Sequence, residues 1–207
     1  PHSVGLHLFG LDRIDSMKKF ADLGVTSVDS ASLLRRAWMG TGQNYVTMGG
    51  IFYTAIRVPE ADKSFRAKRM VEEGRATAEA VQRLDRTCMQ ALRDFDQDKV
   101  SVQEVLDVLG EYDQMITPDR DDTTELLRHT LEDKPWKRCG CVICQKDGIQ
   151  VVIFRGNNRN RRRGFHNTYV FYRLLGQALD GDPIRFQRVE RQSSQLGLPG
   201  LAASAGK

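Results

Sequence analysis

The sequence predicts an α/β chain in three parts: a parallel βαβ unit, a helical middle, and a C-terminal segment stapled by a metal. Three observations carry this reading. Residues 4–28 run strand, helix, glycine, strand. Residues 61–131 hold amphipathic helical patterns. Three cysteines, Cys139, Cys141 and Cys144, crowd into six residues, and His166 follows.

The bulk numbers fit this class. The chain has 207 residues, 40% hydrophobic and 28% charged, with a net charge of +4, an ordinary globular composition. No apolar run approaches the roughly 18–20 residues that a membrane-spanning helix needs. The global field is weak, but charge is unevenly placed. Residues 151–173 carry six arginines and no acid, which points to a phosphate-bearing partner. Acid gathers in the middle and at Asp119, Asp121 and Asp122. Clustered cysteines without a secretion signal favour a metal site in a reducing, cytoplasmic setting.

Val4 to Phe9 is an apolar run ending at Gly10, expected to be a core strand. Met17, Phe20, Ala21 and Leu23 follow at near-helical spacing, and Gly24 is a C-cap signal. Val25 to Val28 is a second strand ending at Asp29. Short connections between such elements imply parallel pairing, and functional groups of parallel sheets gather at the C-terminal strand ends. Those ends hold Phe9, Gly10, Asp29 and Ser30. Gly40 to Gly50 reads as a glycine-containing loop. Ala61 to Arg93 reads as one long helix. Val100 to Leu109, with Ser101 and Glu104 fitting a capping box, and Thr123 to Leu131 read as two more. Ile149 to Phe154 reads as a strand, Arg155 to Gly164 as a polar loop, and Asn167 to Leu179 as an aromatic-rich helix. Two of Tyr169, Phe171 and Tyr172 are expected in the core. The expected divisions are residues 1–58, 59–134, 135–191 and a flexible tail at 192–207.

The C-x-C-x2-C cluster and His166 offer three thiolates and one imidazole, a set that suits tetrahedral Zn²⁺. With four protein ligands no position remains for a reactive water, so the ion is expected to be structural. Three buried cysteines beside an unrelated histidine is the bland alternative. His129 is a weaker ligand candidate, and His2 and His7 stay unassigned.

The cysteine cluster and the run His166-Asn167-Thr168-Tyr169-Val170-Phe171-Tyr172 resemble the zinc motif of tRNA-guanine transglycosylases. His7-Leu8-Phe9-Gly10 resembles that family's penultimate barrel strand, and Val28-Asp29-Ser30-Ala31-Ser32 its last. The resemblance covers about the first 50 residues and 135–180. It implies the C-terminal part of a (β/α)8 TIM-type barrel with a helical insertion and a zinc-binding subdomain. It also implies base exchange, guanine for a 7-deazaguanine, through a covalent intermediate with Asp29 as nucleophile. A carboxylate suits that task, because its glycosyl ester can form and leave again. Phe9 and Gly10 match a wall of the base pocket. On residues alone, Asp29 could be a turn residue and Phe9 a core residue. No block matches the family's second acid, and the chain opens on a strand, so it is expected to be a fragment and incomplete as a catalyst.

Two departures from the tRNA enzymes, the long stretch from Ser30 to Arg138 and the basic run after it, resemble the DpdA-type enzymes that act on DNA. This implies DNA as partner, a base such as 7-cyano-7-deazaguanine, and partner proteins of a DNA-modification system. Arg155, Asn157, Asn158, Arg159, Arg161, Arg162 and Arg163 are the expected phosphate contacts, since guanidinium forks match phosphate geometry. A solvated or acid-paired loop is the alternative. Exchange on tRNA, or a zinc-stapled nucleic-acid-binding module without chemistry, are the competing functions.

Overall fold

A computed structural model describes residues 4–188 apart from 12, 40, 41, 119 and 120. His2, Asp119 and the expected tail lie outside the described residues. The βαβ unit is present. Strand β1 (Leu6–Leu8) pairs in parallel with β2 (Val25–Val28), Leu8 opposite Val28. A single 3-10 turn at Ile14–Ser16 leads into helix α1 (Met17–Asp22) between them. The apolar run around β1 is less buried than a core strand should be: Leu6 in the strand and Val4 and Phe9 beside it stand exposed. Among the described residues its sheet has two strands, so part of its apolar surface meets no second layer.

Helix α2 (Ser32–Arg36) follows, and the glycine-containing stretch is a hairpin rather than a loop. β3 (Tyr45–Val46) and β4 (Ile51–Tyr53) pair antiparallel, Val46 opposite Phe52. Aromatic and β-branched residues on both arms favour this. After β5 (Ile56–Arg57), the expected single helix is two: α3 (Phe65–Glu72) and α4 (Ala78–Asp96). The break lies at Gly74, whose φ of 68° ends α3. Ser64 and Thr77 cap the two starts through their hydroxyls. α5 (Val102–Ile116) begins with the expected capping box, and α6 (Thr124–Asp133) follows.

The last third departs most from the sequence reading. α7 (Val142–Asp147) starts inside the cysteine cluster. The expected strand at 149–154 is mostly a 3-10 turn, with strand only at β6 (Ile153–Phe154), parallel to β5. The expected arginine loop is the beginning of α8 (Gly156–Leu179), a 24-residue helix. Its buried positions, Asn160, Arg163, Gly164, His166, Asn167, Val170, Leu174 and Ala178, recur at helical spacing, but the first five are polar or glycine. A hydrophobic pattern cannot register such a stripe. β7 (Gln187–Arg188) adds to β4.

Two clusters form the interior. Leu92, Phe95, Leu131, Trp136, Cys144 and Ile153 belong to one, so the helical middle and the cysteine segment share a core. Each large apolar side chain buried there contributes about 1.5–3 kcal/mol. Ile14, Met17, Leu33, Phe52, Val170 and Leu174 form the second, which seats the βαβ unit on α8. Gly164 permits the close approach of α2: a Cβ there would lie 2.7 Å from Trp38 and 2.9 Å from Leu34. No described helix is long and apolar enough to cross a membrane.

Candidate metal centre and carboxylate rim

The Cys139, Cys141, Cys144 and His166 ligand atoms all lie within 4.8 Å of one another. His166 Nδ1 is 3.7 Å from Cys139 Sγ and 3.4 Å from both Cys141 Sγ and Cys144 Sγ. Tetrahedral zinc bonds of about 2.3 Å to sulfur and about 2.0–2.1 Å to nitrogen would set sulfur and nitrogen about 3.6 Å apart. The four residues therefore form a compact potential metal-binding site of the right size and donor set. His129 is not part of it.

Local structure builds this centre. Cys141 caps α7, its sulfur accepting the Cys144 N–H at 3.3 Å, which turns the third cysteine back toward the first two. His166 comes from the middle of α8. Its Nε2 donates to the Val46 carbonyl at 2.9 Å, which leaves Nδ1 facing the sulfurs. Tyr45 stacks on the imidazole at 4.1 Å, and its hydroxyl reaches Cys144 Sγ at 3.4 Å. Burial opposes charge on His166, yet hydrogen bonds with Cys139 and Cys141 raise its pKa to about 9. The Cys139 thiol is held well below its ordinary value by hydrogen bonding from Cys144 and His166.

A second group sits at the C-terminal ends of β1 and β2. Asp29 Oδ1 accepts the Gly10 N–H at 2.6 Å, and the Asp29 carbonyl accepts the Leu11 N–H at 3.0 Å. The Asp29 side chain is 61% exposed, and His7 Nε2 lies 3.8 Å from Oδ1. His7 Nδ1 meets the Ser27 hydroxyl at 2.8 Å, and the Phe9 ring stands edge-on to His7 at 4.3 Å. Phe9 is solvent-facing rather than core. His7 is a member of this rim that sequence reasoning left unassigned.

A curated relative, a DNA-guanine transglycosylase of Salmonella montevideo, is 38% identical over 178 residues, which is 84% of this chain. The chain belongs to the tRNA-guanine transglycosylase-like superfamily. The aligned region spans 42% of the relative's own length. No family model matches the chain.

Within this superfamily member, the arginines expected to face nucleic acid take several roles. Arg155 pairs bidentately with Asp85, NH2 to Oδ2 at 3.0 Å, and both side chains are largely buried. Arg162 pairs with Asp147 at 3.1 Å but stays exposed, and Arg161 is exposed. Arg159 Nε donates to Gln150 at 2.8 Å. Arg163 corrects the expectation outright: it is fully buried, so no phosphate can reach it. Its guanidinium donates to the carbonyls of Val151, Ile153 and Ala37 and to Asn160 Oδ1. Neighbouring Asn167 donates to the Leu33 and Asn44 carbonyls at 2.9 and 2.8 Å. These bonds tie the metal-bearing helix to α2, the element that follows Asp29. Among the aromatics, only Phe171 packs against the core, whereas Tyr169 and Tyr172 are exposed. This reverses the expected majority.

Proposed function

We propose that the chain is part of a transglycosylase that exchanges guanine for a 7-deazaguanine derivative in DNA, with residues 1–58 contributing the last units of a (β/α)8 barrel. The observation that carries the reading is the likeness to a DNA-guanine transglycosylase across 84% of the chain. The carboxylate at a parallel strand end supports it. The Gly10 N–H holds Oδ1 of Asp29, which leaves Oδ2 to meet a sugar. In the proposed reaction Oδ2 forms a bond to C1′ as the bond from C1′ to guanine N9 breaks. Guanine leaves with the bonding pair and takes up a proton. The incoming base loses its N9 proton, attacks C1′, and the ester breaks to restore the carboxylate. Two displacements retain the sugar configuration. His7 Nε2 stands beside the Asp29 carboxylate, and Phe9 offers an exposed ring to a base. Cys139, Cys141, Cys144 and His166 would hold Zn²⁺ as a closed, structural ion. It would tie the cysteine segment and α7 to α8, the elements that carry its four ligands.

The test is incorporation of labelled guanine into DNA and into tRNA by the full-length protein. Asp29→Asn should abolish exchange, and the wild type should trap a protein–DNA adduct that survives denaturation. Exchange undiminished in Asp29→Asn would refute the nucleophile. Exchange on tRNA alone would refute DNA as substrate. No exchange on either would favour a binding module.

A further inference from the structure

We propose that the groove between the start of α3 and the start of α8 is a binding site for the phosphodiester backbone of the polynucleotide substrate. The proposal rests on the reading above that the chain acts on a polynucleotide. The groove encloses about 1100 Å³. One wall carries Arg57, Lys63 and Arg66, and the other Asn157, Asn158 and Arg159. Only the second wall was legible as a basic run. The first comes from β5 and the start of α3, some 90 residues earlier in the sequence.

The charges do not cancel. Arg155 also lines the groove, but Asp85 neutralises it. Of the remaining cations, Arg57 lies over the Phe154 ring at 4.5 Å and is not free, and Lys63 pairs with Glu60, the one carboxylate in the lining. Arg66 is exposed and has no ion-pair partner among the described residues. Arg159 lies close enough to Arg155, Arg93 and Arg162 that, beyond the effect of burial, like charge disfavours its protonated form. Holding cations together costs free energy that an anion would recover. The N-terminus of α8 opens into the same groove without a side-chain cap, and the N–H groups of a helix's first turn favour an anion there. At present the Glu60 carboxylate stands at that mouth: a side chain at Gly156 would run into it. Glu60 thus competes with an incoming phosphate for both the helix terminus and Lys63. Cations on two walls and exposed amide donors suit a run of phosphates better than a single small anion.

Opposite responses from neighbouring residues test this. Binding of a labelled DNA oligonucleotide to the full chain is followed by fluorescence anisotropy across a salt series. Lys63→Gln with Arg66→Gln should weaken binding at least about tenfold at low salt and reduce the salt slope by about 2. Glu60→Gln should tighten binding. A fold defect would lower binding in every variant, so the two directions separate recognition from damage. Unchanged affinity in the double variant, or weakening by Glu60→Gln, overturns the proposal. The base-exchange reading fails separately. If the double variant binds weakly while wild type exchanges no guanine, the groove stands and the chemistry falls. If exchange depends on Asp29 but binding ignores Lys63 and Arg66, the groove alone falls.

Discussion

Replacing Arg163 with Ala separates the tertiary structure from the sequence pattern, because Arg161, Arg162 and Arg163 are equivalent in the sequence and opposite in the fold. Arg163 is fully buried. Its two terminal nitrogens donate at 3.1, 3.1, 2.6 and 2.7 Å to Val151, Ile153, Ala37 and Asn160. Truncation would strand three carbonyls and one amide oxygen, each at about 1–3 kcal/mol, and leave a cavity. Against this stands the cost of burying a guanidinium that no carboxylate neutralises among the described residues, and burial also presses its pKa down. The lost bonds exceed that relief, because the carbonyls cannot reach water, and the net loss is about 3–5 kcal/mol. Arg161→Ala, on the exposed face of the same helix, should stay within about 0.5 kcal/mol of wild type. Urea unfolding followed by circular dichroism reads both. Equal midpoints for the two variants would refute the assignment of Arg163 as the clamp between α8, β6 and α2.

Two further outcomes follow from the same geometry. Cys144→Ser, or treatment with a strong chelator, should remove bound metal and loosen α7 and α8. Metal analysis should give one ion per chain in wild type, and amide exchange at residues 141–166 should quicken when the ion is lost. Glu104 provides a pH dependence. The Ser101 N–H and hydroxyl hold its carboxyl below the ordinary 4.5. The ionised form is therefore favoured on folding, and its contribution is present above that value. It fades as pH falls through the unfolded and then the folded pKa. Glu104→Gln should flatten this acid limb in a stability-versus-pH series, and an unchanged limb would refute the capping box as its source.

Parts of this protein were legible locally. Parallel β1 and β2 follow from two apolar runs joined by a short helix and Gly24. The start of α5 follows from Ser101 and Glu104. The metal cluster follows from cysteine spacing, because a tight turn delivers three sulfurs whatever the surrounding fold. Other features were not. Gly74 sits in a sequence whose apolar spacing continues on both sides, so the break between α3 and α4 left no periodic trace. Which of Tyr169, Phe171 and Tyr172 face the core is decided only by the face that α8 buries.

The sequence by itself determined what depends on neighbours along the chain: caps, the βαβ order, the thiolate cluster and the position of Asp29 at a strand end. Only the tertiary structure decided which arginines face water, because Asp85, which engages Arg155, and the carbonyls that engage Arg163 come from other elements. It also decided that His7 stands beside Asp29 and that Lys63 and Arg66 line one groove with Asn157 and Arg159. Charge in a sequence says how much is present. Burial and pairing, which depend on packing across the whole fold, say where it is available.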